Sequence, residues 1–188
     1  MSGFSALSAD AIADRFPWEE YDRVCDLGAS KGAFLTEVVG RHSHLTGVGL
    51  DLPPVESQFR DHVADARLDD RVDFRAGDFF EDSLPDAEVY VLGHVLHNWD
   101  EERTRRLLGR VADALPADGT LVVYGMIVDD ERRKHAHALL MSLNMLVTME
   151  AGRGYTFAEC ERWLDDAGFA ETRRADLPGP DSMIVAER

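Results

Sequence analysis

Short apolar runs alternate with longer amphipathic stretches along the chain, and this alternation continues to the C-terminus. Runs of four to seven residues that end at turn residues are predicted to be strands. The predicted strands are Arg23–Asp26, Leu45–Leu50, Arg71–Ala76, Ala87–Leu92, Gly119–Gly125, Ala170–Arg174 and Met183–Ala186. The run from Gly119 to Gly125 is almost continuously apolar, which is typical of a strand covered on both faces.

Helices are predicted in the stretches between these runs. They are Ala6–Phe16, Gly32–Arg41, Val55–Ala66, Asp100–Leu115, Lys134–Met149 and Thr156–Ala167. The clearest apolar stripe lies in the helix that Asp100 can cap, whereas Val55–Ala66 is only weakly helical and is broken by polar residues. Thr156 followed by Glu159 has the form of a capping box, and Gly168 is expected to end that helix.

Strands and helices that alternate in this order predict an α/β protein. We expect a doubly wound, Rossmann-like, mostly parallel sheet of seven strands with helices on both faces. The last two strands are the exception, because only the Pro178-Gly179-Pro180 turn joins them. Residues 1–20 are predicted to be a leader helix, and residues 21–188 are predicted to be a single domain.

A turn of small residues joins the first predicted strand to the first predicted helix. The segment from Val24 to Leu35 reads VCDLGASKGAFL. After Asp26 its small residues are Gly28, Ala29, Ser30 and Gly32. Small residues let a ligand lie against the backbone, and a helix N-terminus offers unpaired N–H groups. A turn of this kind also occurs where a helix simply packs close to a strand.

The second predicted strand is followed directly by Asp51, 23 residues after Gly28. An acidic residue at about this distance is placed to hydrogen-bond a ribose. The two features together predict a nucleoside-cofactor pocket at the carboxyl edge of the sheet.

Composition excludes several other classes of protein. The 188 residues carry a net charge of −16, which would repel a nucleic-acid backbone. No apolar run has the length of a membrane span and no signal peptide is visible, so we expect a cytoplasmic protein. Cys25 and Cys160 lack metal-ligand spacing, and no metal site is predicted.

Six blocks together resemble the catalytic domain of S-adenosylmethionine-dependent O-methyltransferases of the plant caffeate and bacterial polyketide-tailoring type. The blocks read VCDLGASKGAFL, GVGLDLPPV, VDFRAGDFFED, VLHNWDEE, LPADGTLVV and YTFAECERWLDDAGF. The resemblance covers the chain from about Tyr21 onward. It implies a class I methyltransferase fold, S-adenosylmethionine as cofactor, and methyl transfer to a hydroxyl of a small phenolic or polyketide-like acceptor.

The resemblance also implies a role for each matching residue. Gly28, Ala29, Ser30 and Gly32 would flank the methionine part of the cofactor, and Asp26 would orient that turn or touch the ligand. Asp51 would bind the ribose hydroxyls and Leu52 would contact the adenine. Asp78 and Phe79 would hold the edge and face of the adenine, with Trp99 closing that side. Gly93 and His94 would complete the pocket.

His97 matches the general base of the family. The sulfonium already activates the methyl group, so the enzyme must align a hydroxyl with it and remove the hydroxyl proton. A neutral imidazole suits the second task. His94 is a second candidate base or a pocket residue, and His97 could instead be a capping or packing residue.

The chain departs from the family pattern at several positions. Gly28-Ala29-Ser30 replaces three glycines, and Asn98 replaces the aspartate that usually follows the catalytic histidine. Gly125 and Gly154 stand where two glutamates usually bracket that histidine, and Glu150 is a candidate substitute. These losses leave His97 without an evident orienting partner.

Members of this family usually carry an N-terminal winged-helix dimerisation domain that roofs the substrate pocket. Only a short leader is present here, so we expect a more open acceptor side. The segment Lys134–Tyr155, the leader, a second copy in a homodimer or a partner chain could cover it. The apolar run Ala138–Val147 favours a partner or an apolar substrate. His135 and His137 are expected to face solvent.

Two other functions stay open at this point. The first is a protein that binds S-adenosylmethionine without methylating, since both bracketing carboxylates are missing. The second is a short-chain dehydrogenase, because GASKG resembles the turn of that family. That family needs Tyr-x-x-x-Lys, and no tyrosine of this chain has a lysine four residues later. The sequence also leaves open whether oxygen, nitrogen or carbon is methylated.

Overall fold

The computed structural model describes residues 2–149 and 151–188, and these residues form a seven-stranded sheet with helices on both faces. The strands are β1 Arg23–Leu27, β2 Thr46–Asp51, β3 Val72–Ala76, β4 Val89–Gly93, β5 Thr120–Gly125, β6 Glu171–Asp176 and β7 Ser182–Glu187. The helices are α1 Ser2–Arg15, α2 Ala33–Arg41, α3 Glu56–Asp65, α4 Glu101–Ala114, α5 Ala136–Thr148 and α6 Phe157–Asp166. Each predicted strand and helix is present, with ends that move by a few residues.

The strand order is β3-β2-β1-β4-β5-β7-β6. Strands β1 to β5 pair in parallel, whereas β7 lies antiparallel between β5 and β6. The chain winds outward from β1 in one direction and from β4 in the other. Such a switch point opens a crevice at the carboxyl ends of the two strands, where ligands of doubly wound proteins bind. The predicted fold class is therefore confirmed.

Two apolar clusters cover the two faces of the sheet. Alternate residues of β4 enter opposite clusters: Tyr90 and Leu92 face one, and Val89 and Val91 face the other. Helices α4 and α6 belong to the first cluster, whereas α1, α2 and α3 belong to the second. Because both faces of the central strands are buried, their sequences are apolar throughout.

Helix α1 packs on the same cluster as α2. Its Ile12 is fully buried, and Trp18, just beyond the helix, is also fully buried and donates its indole N–H to the Ile12 carbonyl at 3.1 Å. Arg41 of α2 pairs with Asp10 and Asp14 of α1. Burial of a large apolar side chain stabilises a fold by about 1.5–3 kcal/mol, so residues 8–18 contribute to the core.

The predicted helix caps are confirmed. The Asp100 side chain accepts a hydrogen bond from the Arg103 N–H at 2.8 Å. Thr156 and Glu159 form the reciprocal capping box, with distances of 3.1 and 2.8 Å. Within the chain segments described, no helix combines the length and the apolar character needed to cross a membrane.

Helix α5 exposes most of its apolar residues. Leu140, Leu143, Leu146 and Val147 are each more than half exposed, and of the helix only Ala138 and Met145 are buried. His137 is exposed as expected. The expectation for His135 was wrong, because it is half-buried and its Nδ1 lies 3.1 Å from the Ile127 carbonyl oxygen.

Candidate functional site

A cavity of about 470 Å³ opens at the carboxyl ends of β1, β2 and β4. Cofactors and small molecules bind in clefts of roughly 300–1,000 Å³, so the volume suits a nucleoside-sized ligand. The lining residues are Asp26, Gly28, Ala29, Ser30, Lys31, Ala33, Phe34, Asp51, Leu52, Gly77, Asp78, Phe79, Phe80, Gly93, His94, Val95, Asn98, Trp99 and Tyr124. They come from the carboxyl ends of β1 to β4 and the segments that follow them, except Tyr124, which lies near the end of β5.

The turn between β1 and α2 forms one wall of this cavity. Gly28 has φ +81° and donates its N–H to the Leu50 carbonyl at 2.8 Å. A Cβ atom there would lie 2.9 Å from Cγ2 of Val95, so a larger residue would be strained in its backbone and would have to displace Val95. Ser30 also has a positive φ of 50°. The turn therefore presents bare backbone to the cavity.

Asp51 fixes this turn to the end of β2. Its Oδ2 accepts the Ser30 N–H and its Oδ1 accepts the Leu52 N–H, both at 2.7 Å. Each carboxylate oxygen has a second lone pair, so the same side chain can still accept two hydroxyl groups. A vicinal diol such as that of a ribose fits this arrangement.

Asp26 lies at the base of the cavity and is buried. Burial, helped by the charge of Asp51, raises the pKa of Asp26 to about 7. A cationic ligand group would favour the ionised carboxylate and lower that pKa. Asp26, Asp51 and Asp78 line the cavity, against the single lysine Lys31, so the site favours a positively charged ligand.

Aromatic rings form another wall. The Trp99 ring stands at 89° to the rings of Phe79 and Phe80, with centroid distances of 6.2 and 4.9 Å. The Asp78 side chain accepts the Phe80 N–H at 2.8 Å, which fixes the turn that carries Phe79. Flat apolar faces beside a carboxylate suit a heteroaromatic ring that carries an N–H donor.

His94 and His97 follow β4. His94 lines the cavity, and its Nε2 lies 3.1 Å from Oδ2 of Asp181. His97 is 4% exposed and is not among the residues that line the cavity. Burial and the neighbouring His94 lower the pKa of His97 to about 4, although Asp181 acts in the opposite direction. The His97 imidazole is therefore neutral at neutral pH.

The structure gathers nearly all of the predicted cofactor residues around one cavity. Eleven of the twelve line it, and their contacts with a cofactor stay predictions. The exception is Gly32, where a Cβ atom would lie 2.8 Å from the Phe59 ring. Gly32 therefore allows α2 and α3 to pack closely.

Tyr124, Ser8 and Asp181 were missed by sequence reasoning. Tyr124 lies opposite Gly93 in the β4–β5 register, and a Cβ on Gly93 would lie 2.4 Å from its hydroxyl oxygen. Because Tyr124 lies near the carboxyl end of the predicted strand Gly119–Gly125, the sequence could have indicated that it lines the cavity. Ser8 and Asp181 are 173 residues apart in sequence, and no local pattern marks their contact.

The two glycines that replace glutamates have close neighbours. A Cβ on Gly125 would lie 3.3 Å from Nδ1 of His94, and one on Gly154 would lie 2.5 Å from Cβ of Ser142. Neither position has room for a carboxylate side chain without rearrangement of its neighbour. Glu150, the candidate substitute, lies outside the described residues.

Comparison with known proteins gives a consistent result. A family model described as the O-methyltransferase domain matches residues 1–170. The tetracenomycin polyketide synthesis 8-O-methyltransferase of Streptomyces glaucescens is 40% identical over 178 residues, which are 95% of this chain and 52% of that protein. The 3-hydroxy-5-methyl-1-naphthoate 3-O-methyltransferase of Streptomyces sahachiroi is 39% identical over 97% of this chain and 53% of its own length.

Solved structures agree in fold. The human N-acetylserotonin methyltransferase in complex with S-adenosylmethionine superposes with a TM-score of 0.89 at 28% identity, covering 97% of this chain and 52% of that one. The chain thus spans about half the length of the curated relatives it matches.

Proposed function

This chain belongs to the O-methyltransferase domain family, and we propose that it transfers a methyl group from S-adenosylmethionine to a hydroxyl of a small aromatic or polyketide-like molecule. The observation that carries the proposal is the position of Asp51. Its carboxylate holds the glycine turn of β1 while it faces a nucleoside-sized cavity at the switch point of the sheet.

The cavity residues fit this cofactor. Asp51 would accept the two ribose hydroxyls, and Asp78, Phe79 and Trp99 would hold the adenine. When bound, S-adenosylmethionine supplies a methyl group activated by a positively charged sulfonium, and the acidic wall of the cavity favours such a charge. Asp26 would be ionised by the approach of the cationic amino group.

The chain itself must hold the acceptor oxygen in line with that methyl group and accept the hydroxyl proton. We assign the proton to His97, following the resemblance, with His94 as the second candidate. His97 is neutral near pH 7 but a weak base, because its pKa is lowered to about 4. A weak base favours an acidic hydroxyl, and a phenol with a pKa of about 10 suits it better than an alcohol.

The names of the relatives support the same acceptor class. One acts in polyketide synthesis as an 8-O-methyltransferase, and another methylates a hydroxynaphthoate. A hydroxynaphthoate is a fused aromatic phenol of the kind that the weak base favours. We therefore propose a phenolic hydroxyl as the methylated group.

The exposed face of α5 supports a partner for this site. Leu140, Leu143 and Val147 form an exposed apolar stripe on α5, and α5 itself contacts the turn Leu96–Asn98 that carries His97. We propose that a second polypeptide, a copy of this chain in a homodimer, covers it. Light scattering after gel filtration tests this: a dimer that Leu143→Glu dissociates supports it, and a monomer at all concentrations contradicts it.

Methyl transfer can be tested directly. Calorimetry with S-adenosylhomocysteine measures binding, and mass spectrometry after incubation with S-adenosylmethionine and a panel of hydroxynaphthoates measures a gain of one methyl group. Binding with transfer supports the proposal. Binding without transfer to any phenol favours the alternative of a protein that binds the cofactor without methylating. Absence of binding overturns both.

A further inference from the structure

Ser8, His94 and Asp181 form a buried hydrogen-bonded cluster beside His97. Oδ2 of Asp181 accepts the Ser8 hydroxyl at 2.6 Å and lies 3.1 Å from Nε2 of His94. Ser8 and Asp181 are almost completely buried. The rings of His94 and His97 lie 5.9 Å apart, centroid to centroid. Three distant parts of the chain, α1, the end of β4 and the turn before β7, thus meet next to the proposed base.

We propose that Asp181, held through His94, is the positioning carboxylate of His97: its negative charge stabilises the imidazolium that forms when the acceptor proton arrives. The inference rests on the proposed function, because it assigns a role in the transfer of that proton. Asp181 is a positioning residue here, since it does not take the proton itself.

The geometry around His94 favours this role. Gly125 and Gly154 stand where the family usually has the two glutamates that bracket the base. Nδ1 of His94 lies 3.3 Å from the Cβ position of Gly125, and Cβ of Ser142 lies 2.5 Å from the Cβ position of Gly154, so neither place holds a carboxylate. Among the described residues, Asp181 is the carboxylate whose charge acts on His97, and it acts to raise the pKa of His97. A base that picks up a proton in a buried site needs such a counter-charge.

The charge state of Asp181 agrees with the role. Burial alone would raise the pKa of Asp181, but the hydrogen bonds of His94 and Ser8 and the charges of His94 and His97 outweigh it, and the pKa is lowered. The carboxylate is therefore ionised at neutral pH. A neutral amide at this position could still accept the Ser8 hydroxyl through its oxygen, but it would carry no charge to stabilise an imidazolium.

The other titratable groups nearby do not replace this charge. The pKa values of Tyr124 and Tyr155 are raised well above the usual range, first by burial, and the charge of Asp181 adds to both shifts. Both phenols are therefore neutral. His94 opposes protonation of His97, whereas Asp181 favours it. Removing Asp181 should therefore lower the pKa of His97, and removing His94 should raise it.

This opposition gives the test. Histidine-labelled protein saturated with S-adenosylhomocysteine is titrated by NMR from neutral pH down to about pH 2.5, and the His97 signal is assigned with His97→Gln. In Asp181→Asn the pKa of His97 should fall by about half a unit or more, and in His94→Gln it should rise. Asp176→Asn, an exposed carboxylate of β6, should leave it unchanged. Asp181→Glu, which keeps the charge, should restore part of the shift.

Kinetics with a hydroxynaphthoate acceptor give a second readout. Asp181→Asn should lower kcat about 10-fold or more and leave the KM for the cofactor nearly unchanged. The expected fall in kcat is a part of the 10²–10⁴-fold that a general base contributes to the rate. A His97 pKa that does not fall in Asp181→Asn overturns the inference. If Asp181→Asn fails to fold, Asp181→Ser decides, because a serine hydroxyl carries no charge but can still accept the Ser8 hydroxyl. A His97 pKa that does not fall in that variant overturns the inference. The titration needs no turnover, so an inactive wild type counts against the proposed function alone.

Discussion

The Asp51 carboxylate accepts the backbone N–H of Ser30 at 2.7 Å, which joins the end of β2 to the turn after β1. Strands β1 and β2 are parallel neighbours, so their carboxyl ends lie side by side. One side chain therefore shapes the turn and faces the cavity at the same time. Loss of the Asp51 side chain should therefore change the conformation of the turn and weaken ligand binding.

Asp51→Ala should weaken S-adenosylhomocysteine binding by about 100-fold or more. The substitution removes the acceptor for two ribose hydroxyls, and hydrogen bonds to a charged group are each worth about 1.5–3 kcal/mol. Isothermal titration calorimetry measures the change. Asp61→Ala, which removes an exposed carboxylate of α3, is the control and should bind like the wild type. Unchanged affinity in Asp51→Ala would remove Asp51 from the cofactor site.

Cofactor affinity should increase as the pH rises from about 6 to about 8. The pKa of Asp26 is about 7 without ligand, and a cationic ligand favours its ionised form. Binding therefore releases a proton, and a higher pH favours that release. Calorimetry in buffers of different ionisation enthalpy measures the proton release. Asp26→Asn should abolish the pH dependence, and an equal slope in both proteins would contradict the assignment.

Asp26 should also make the unliganded protein less stable at higher pH. Its pKa is raised from 3.8 to about 7 on folding, so the folded state binds the proton more tightly than the unfolded state. This tighter binding adds on the order of 2–4 kcal/mol to the free energy of unfolding. The added stability is fully present below about pH 4 and is lost as the pH rises through about 7. In urea unfolding at pH 8, Asp26→Asn should be more stable than the wild type.

Gly28→Ala should lower both stability and cofactor affinity. The new Cβ would lie 2.9 Å from Val95 at a φ of +81°, which costs about 1–2 kcal/mol in backbone strain alone. Gly109→Ala in α4 is a matched control, because nothing lies within 4 Å of its Cβ position. That variant should gain up to about 1 kcal/mol from helix propensity. Urea unfolding compares the two, and equal effects would show that the turn tolerates a side chain.

His97→Gln should lower kcat by about 100-fold or more while the KM for S-adenosylmethionine stays similar. A general base typically contributes 10²–10⁴-fold, and the cavity wall does not include His97. His137→Gln, an exposed histidine of α5, provides the comparison. If His97→Gln retained full turnover, the role of base would pass to His94.

The strand, turn and helix around Asp26 could be read from the sequence because they depend on local patterns. Alternating apolar runs predicted the strands, and small residues between Asp26 and Ala33 predicted a tight turn. The cap at Asp100 and the capping box at Thr156 were predicted for the same reason, since each involves residues only three apart. The position of Asp51 beside this turn could also be predicted, because the carboxyl ends of parallel strands lie at the same edge of a sheet.

The packing around His97 could not be read in this way. Ser8 and Asp181 lie far apart in sequence, and α1 and the turn before β7 bring them together only in the folded chain. The burial of His97, the half-buried His135 and the exposed leucines of α5 depend likewise on which elements pack against each other.

The sequence by itself determined the α/β fold, the cofactor turn and the acidic residue that ends the second strand, because a strand, a turn and a cap are fixed by residues close together in the chain. Only the tertiary structure decided which charge stands next to the proposed base and which histidine lines the cavity. Those relations depend on contacts between distant segments, and such contacts follow from the packing of the whole core.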